Sequence, residues 1–227
     1  MRLLVVAATG FELMPLKAHL DRHFIQKGPD SFQLGDLQLT LLVTGVGAPA
    51  TVYALTRMLS AFRFDLVINV GIAGAFDDSV PLGQVFNIKA DTFADLGVEE
   101  ADGSFRSIFD LQLADLSELP FQGGWLVQPQ LEEMRFLPMA TGITVNKVHG
   151  YAESIAKIKQ KYPADIETME GAAFFYVCLM EKIPFLALRG ISNHVEPRNR
   201  AAWDIPRAIE RVNEVLIDLV GSISSPQ

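Results

Sequence analysis

The chain has 227 residues, 49% of them apolar, and a formal net charge of −8. That length holds one α/β domain with a filled core, and that composition excludes a disordered chain. The acidic balance argues against nucleic acid as the main partner, while a local positive pocket for a small anion stays open.

The single cysteine, Cys178, rules out an intramolecular disulfide framework, and its apolar surroundings suit core packing better than nucleophilic chemistry. No stretch approaches the ~20 apolar residues of a membrane helix. The N-terminal MRLLVVAATG is too short an apolar run for a signal peptide and reads as a first strand. A cytoplasmic protein with no membrane partner is expected.

Residues 3–8 form that buried strand, ending in Thr9-Gly10. Residues 11–23 follow with helical spacing, Leu13, Leu16 and Leu20 sharing a face. Glu12 lies in the first turn, where a carboxylate is common for dipole reasons and also well placed to serve a site at the strand end. His19 and His23 share a helical face but no third ligand follows, so no metal site is expected. Gly35-Asp36 make a hairpin-like turn before a strand at 37–43. The Thr44-Gly45-Val46-Gly47 turn enters a helix at 50–61 and could cradle an anion. It lacks both the dinucleotide fingerprint and the P-loop Lys-Ser/Thr, so it implies no cofactor. A strand at 64–70 ends in Gly71-Ile72-Ala73-Gly74-Ala75, small residues that allow close approach of a ligand or of neighbouring backbone.

A strand at 85–88 precedes a long Asp-, Gly- and Ser-rich excursion over 91–124, with a short helix expected at 107–116. A strand at 136–143 runs on into Thr144-Val145-Asn146, and a helix is expected at 154–162. The stretch 166–193 organises the rest: acidic Glu167 and Met169-Glu170, an apolar helix at 172–182, Pro184, a buried strand at 185–188 and a polar cluster around Ser192 and Asn193. Glu170 would either cap that helix or face a ligand. Residues 205–223 close the chain as an amphipathic helix with Ile209, Val212, Leu216 and Leu219 buried, and 224–227 are expected to fray. Strands alternating with helices predict an α/β fold, a single domain over residues 1–227 with a central, largely parallel (mixed) twisted sheet covered by helices on both faces. If the strand ends meet, Glu12 and Glu170 form a two-carboxylate pocket suited to glycosidic hydrolysis, one activating water and the other holding sugar hydroxyls.

Several separated motifs in order carry a resemblance: the first strand with Glu12; Gly71-Ile72-Ala73-Gly74; Asp95-Leu96-Gly97-Val98-Glu99 with Asp102-Gly103; Thr168-Met169-Glu170-Gly171-Ala172-Ala173; and the run from Arg189 to Arg200. The chain resembles the nucleoside phosphorylase/hydrolase family over nearly its whole length, and within it the futalosine hydrolase branch. The resemblance implies an N-glycosyl hydrolase of a nucleoside, releasing hypoxanthine without metal or cofactor, and a homo-oligomer, dimeric or higher. It implies Glu12 as water-activating base and Glu170, with the Met169 backbone, as the ribose clamp. Gly71, Ile72, Ala73, Gly74 and Ser192 would line the substrate, and Val145 would lie beside the purine. Ile72 stands where adenosine-type nucleosidases carry Ser, and Asn193 where they carry Asp. An Asn amide has a donor and an acceptor side, which suits an oxopurine and makes Asn193 the residue facing the leaving base. Arg198 and Arg200 are the candidates for a carboxylate-bearing arm, with His194 a lesser one. The excursion around Asp95 would close the arm pocket, of its own or a neighbouring subunit. Alternatives are a methylthioadenosine/S-adenosylhomocysteine nucleosidase, a purine nucleoside phosphorylase, and a catalytically silent binding protein on the same fold.

Overall fold

A computed structural model describes residues 1–129 and 137–224. In chain order the strands and helices are β1 (Arg2–Ala7), α1 (Gly10–His23), β2 (Ile25–Gly28), β3 (Ser31–Leu34), β4 (Leu37–Val43), α2 (Ala48–Ala61), β5 (Leu66–Ala75), β6 (Val85–Asp91), β7 (Gly97–Glu99), β8 (Phe105–Ser107), β9 (Phe121–Gln122), β10 (Trp125–Val127), β11 (Met139–Thr144), α3 (Ala152–Lys161), β12 (Ile166–Thr168), α4 (Gly171–Met180), β13 (Phe185–His194) and α5 (Ile205–Ser224).

The period of two in β1 sorts its side chains between two cores. Leu3 and Val5 pack with Leu13, Leu16 and Leu20 of α1 and Val212 and Leu216 of α5. Leu4 and Val6 point the other way, to Leu55 of α2 and Phe174 and Phe175 of α4. Helices thus cover both faces, as expected. The sheet is mixed and largely parallel: β1 runs parallel to β4 and β5, β5 to β13, and β11 to β6 and β12.

Two strands run further than the sequence suggested. Residues 71–75 are no loop: β5 continues through them, and Gly71 to Ala75 stay paired with Arg189 to His194 of β13. The small side chains and a register shift between Ile191 and Asn193 let both strands bend while their backbone groups stay satisfied. The polar cluster after Leu188 is therefore the second half of a strand. This bend closes a ring. Beyond its pairing with β1, β5 meets β12 antiparallel, β12 meets β11, β11 meets β6, and β13 joins β6 back to β5. The sequence reading did not contain this closure.

The short helix expected at 107–116 does not form. Asp110 Oδ2 takes the Ser107 N–H at 2.8 Å and the Ser107 hydroxyl at 2.9 Å, diverting the chain into turns. β7 and β8 instead form a separate two-stranded hairpin. The Gly35-Asp36 turn is found, with Gly35 at φ +54, between β3 and β4. The edge hairpin of β2 and β3 was not anticipated. The expected strand start at Phe136 and the tail 225–227 lie outside the described residues.

Candidate active site

The ring and the first turns of α1 and α4 border a cavity of about 1110 Å³. Of the sequence candidates, Glu12 reaches it from α1, and Ile72, Ala73 and Gly74 from β5. Met169 and Glu170 enter at the β12–α4 junction, Ser192 and Asn193 from β13, and Arg198 from the segment that follows. Four candidates are elsewhere, one of them His194, whose Nε2 meets the Val80 carbonyl at 2.9 Å. Gly71 lies behind the wall, where a Cβ would come within 3.0 Å of Glu12 Oε1, so it makes room for that carboxylate. Val145 is fully buried against Ile143 and Ile155. Arg200 is exposed in a short 3-10 turn away from the cavity wall. The β7–β8 hairpin does not reach the cavity within one subunit; it borders a different one of about 920 Å³.

Glu12 is 8% exposed. Its Oε2 accepts hydrogen bonds from the Thr9 N–H and hydroxyl, both at 2.9 Å. One turn on, α5 bonds to the backbone of α1. Asn213 of α5 inserts its amide between the Glu12 carbonyl, to which Nδ2 donates at 2.9 Å, and the Leu16 N–H, which donates to Oδ1 at 3.1 Å. Pro15, which has no N–H, sits between these two groups, and prolines and inserted side chains are both places where a helix ladder bends.

Glu170 does not cap α4 with its side chain. It crosses to the N-terminus of α2, where the Gly47 N–H donates to Oε1 at 2.8 Å. The Gly45–Gly47 turn does bind an anion, namely the chain's own carboxylate. Burial raises the Glu170 pKa, while the Gly47 hydrogen bond and the nearby Arg189 guanidinium hold it down. The start of α4 is fixed from below: the Gly171 N–H donates to Thr168 Oγ1 at 3.2 Å and the Ala172 N–H to Thr144 Oγ1 at 2.7 Å. Thr144 in turn donates to Asp91 at 2.9 Å. A Cβ on Gly171 would fall 2.1 Å from Asp91 Oδ2, which explains Gly directly after Glu170. Burial pushes the Asp91 carboxyl up to about 7, against the Thr144 hydrogen bond and Arg189.

Arg189, 2% exposed, lies behind the wall, and the sequence reading gave it no site role. Its guanidinium donates to the Leu188 carbonyl at 2.9 Å and to the Asn69 side chain. Burial lowers its pKa, and Glu170, Asp91 and Glu12 together oppose that shift. It is the buried cation around which three carboxylates are grouped.

At the other end of the cavity Asn193 Oδ1 accepts the Ser192 hydroxyl at 2.9 Å, and Nδ2 donates to the His194 carbonyl at 3.0 Å. One N–H and one lone pair of the amide remain for a ligand. His149 and Glu167 also line the cavity and were missed as site residues. The Arg198 guanidinium stands 5.2 Å from the Trp203 ring centroid, and Trp203 lines the cavity too. Among the described residues no group of three or more His, Cys, Asp or Glu could hold a metal ion. No helix among them is long and apolar enough to cross a membrane.

Residues 2–221 match the model of the phosphorylase superfamily. The chain belongs to the phosphorylase superfamily. Its activity class is that of an N-glycosyl hydrolase of the nucleosidase type. Over 191 residues the chain is 36% identical to futalosine hydrolase of Streptomyces coelicolor, covering 81% of this chain and 77% of that protein. It is 24% identical over 219 residues to the 5'-methylthioadenosine/S-adenosylhomocysteine nucleosidase of Maridesulfovibrio salexigens, covering 89% and 90%. The structure of futalosine hydrolase of Helicobacter pylori superposes with a TM-score of 0.80 over 98% of each chain at 15% identity, a likeness of fold. Within this superfamily the chain stands between named futalosine hydrolases and named nucleosidases of adenosine type. The choice of substrate therefore rests on the cavity's own residues.

Proposed function

We propose that this enzyme hydrolyses the N-glycosidic bond of futalosine, the hypoxanthine nucleoside of the alternative menaquinone route, releasing hypoxanthine and dehypoxanthine futalosine. The observation that carries this reading is Asn193, whose amide offers the cavity one donor and one acceptor. Ser192 and His194 hold that amide in one orientation, so the choice of base turns on which group meets its free N–H: the exocyclic oxygen of an oxopurine accepts it, whereas the exocyclic amino group of an adenine would set donor against donor. In this reading Glu12 takes a proton from the attacking water. Glu170, already fixed by Gly47, accepts hydrogen bonds from the ribose hydroxyls, and these tighten as positive charge develops at the anomeric carbon. Arg198 beside Trp203 offers a cation and an aromatic face to a benzoate arm. An acidic pair suits water and repels phosphate, which favours hydrolysis over phosphorolysis.

The same reading includes a dimer. Phe11, Met14 and Val46 are 74%, 60% and 59% exposed and all line the cavity mouth, an apolar surface suited to being covered by a second subunit.

The test is base release from futalosine, inosine and methylthioadenosine, each with and without phosphate, followed by chromatography. Hypoxanthine from futalosine, independent of phosphate, is expected. Adenine from methylthioadenosine instead would move the enzyme to the adenosine-type nucleosidases. A requirement for phosphate would remove the water-activating role of Glu12.

A further inference from the structure

An amide cannot give up a proton at neutral pH, so Asn193 leaves the departing base without an acid. The cavity wall holds a pair that the sequence did not advertise. The backbone N–H of His149 donates to Glu167 Oε1 at 2.9 Å, and Nδ1 of the same residue meets Glu167 Oε2 in a very short contact. Both carboxylate oxygens of Glu167 are thus spent on one residue, which fixes the imidazole in position and orientation. A carboxylate only accepts, so Nδ1 carries the proton facing Glu167, and Nε2 is the ring nitrogen with no partner among the described residues. The Glu167 side chain is 3% exposed and the His149 side chain 14%, so the carboxylate is sealed while the imidazole keeps a small exposed face, at a position bordering both this cavity and the one of about 920 Å³.

The sheet says where along the cavity this pair lies. Glu167 of β12 is the register partner of Gly74, and Gly74 is the register partner of Asn193 on the opposite side. Glu167, Gly74 and Asn193 thus form one row across three strands, about 10 Å wide at ordinary strand spacing. A Cβ on Gly74 would fall 3.0 Å from Asn193 Nδ2, so the middle of the row is kept empty on the Asn193 side. The Arg198 N–H donates to the Gly150 carbonyl at 3.0 Å, tying the residue after His149 to the segment that follows Asn193.

We propose that His149 is a catalytic residue, the acid that protonates the departing oxopurine, and that Glu167 is its positioning residue. The proposal rests on the hydrolase reading above. His149 enters the step as the imidazolium, protonated at both ring nitrogens; as the C1'–N9 bond breaks, its electron pair passes to the purine, and the Nε2 proton transfers to a ring nitrogen of the base. Water adds its oxygen to C1' and gives its proton to Glu12. The products are the free base and the free sugar, and the proton on Glu12 returns to His149 through solvent after release. Nδ1–H stays on Glu167 throughout, so the imidazole ends as the neutral tautomer that Glu167 already favours.

The test compares futalosine with futalosine methylated at N7, whose base leaves as a neutral molecule without proton transfer. His149→Asn is the first variant, because its amide keeps a donor near the Nδ1 position for Glu167. His149→Gln and Glu167→Gln accompany it. On futalosine, His149→Asn should lower kcat by about 100-fold or more, the usual weight of a general acid. On the methylated nucleoside its kcat should stay within about 3-fold of wild type. The two substrates are compared on one preparation, so any loss of folded enzyme cancels in the ratio. Glu167→Gln should show the same split, more weakly. An equal loss on both substrates, or a loss on neither, overturns the proposal and leaves the hydrolase reading standing. Absence of base release from either substrate by the wild-type enzyme overturns both.

Discussion

Asn213 offers the sharpest check on how α1 holds Glu12. Asn213→Ala removes three hydrogen bonds at a site 1% exposed: to the Glu12 carbonyl at 2.9 Å, from the Leu16 N–H at 3.1 Å, and to the Ile209 carbonyl at 2.8 Å. The Ile209 carbonyl is also within its own helix, so its loss costs little. The Glu12 carbonyl and Leu16 N–H are left facing a void. Either α1 stays in place with these two groups short of that partner, or α1 tightens to compensate and moves the Glu12 side chain. Net losses of this kind sum to about 2–4 kcal/mol. For a protein of this size that is a drop of about 4–16 °C in Tm. If α1 tightens, the carboxylate shifts relative to the attacking water, and kcat should fall by about 10- to 100-fold with little change in KM. Asn213→Asp should be at least as damaging, since a carboxylate oxygen would then face two carbonyls. The assay pairs a melting curve with base-release kinetics corrected for folded enzyme. Unchanged melting would refute the bonding account, and lowered melting with unchanged kcat would refute its link to Glu12.

Three further outcomes follow from the same geometry. Asn193→Asp should reduce kcat/KM for the hypoxanthine nucleoside by about 10- to 100-fold, because the new carboxylate also faces the His194 carbonyl; an unchanged value would end the base-selection argument. Arg198→Ala should raise KM for futalosine but not for inosine, and equal effects on both would detach Arg198 from the arm. Asp91 titrates at about 7 when folded and near 3.8 otherwise, so burial favours its protonated form. Its contribution to stability is full below about pH 4 and is lost as pH rises through about 7, a change of about 4 kcal/mol. Asp91→Asn should flatten that part of the pH–stability curve, and a curve parallel to wild type would exclude Asp91 as its source.

Local pattern exposed the elements that local physics builds. Leu13, Leu16 and Leu20 of α1 and Val212, Leu216 and Leu219 of α5 are buried as their spacing required, whereas Ile209, expected in the same stripe, is half-buried and lines the cavity. Glu12, Glu170 and Asn193 were legible because a polar group at the end of an apolar run is conspicuous. What stayed hidden depends on register between distant strands. Closure of the ring needs β13 to pair with both β5 and β6, which no periodicity encodes. Val145 was misplaced for a related reason. β11 ends at Thr144, and the next side chain turns into the core, so the chain reaches the cavity only at Val148 and His149. Glu167 read as one more acid before a helix, because its partner lies eighteen residues back in a loop. Arg189 stood out only as the start of the last motif, with no site role assigned to it. Only the fold shows that Asn69, Asp91 and both cavity carboxylates surround it.

The closed ring restricts how this enzyme can change shape. An open sheet can flex along its free margin, but parting β5 from β12, or β13 from β6, would break one of the short pairings that close the hoop. The half of the cavity built on the hoop, with Ile72, Gly74, Asn193 and the Glu167–His149 pair, is therefore a fixed mould. The other half is formed by Phe11 and Met14 on α1 and by the stretch from Arg198 to Ile209, tied back by the Arg198 N–H on the Gly150 carbonyl at 3.0 Å and the Asp204 N–H on the Ser192 carbonyl at 2.8 Å. In the proposed reading, base selection falls on the first half and arm selection on the second. Variation at 198–209 should retune which appendage is admitted without disturbing which base is released.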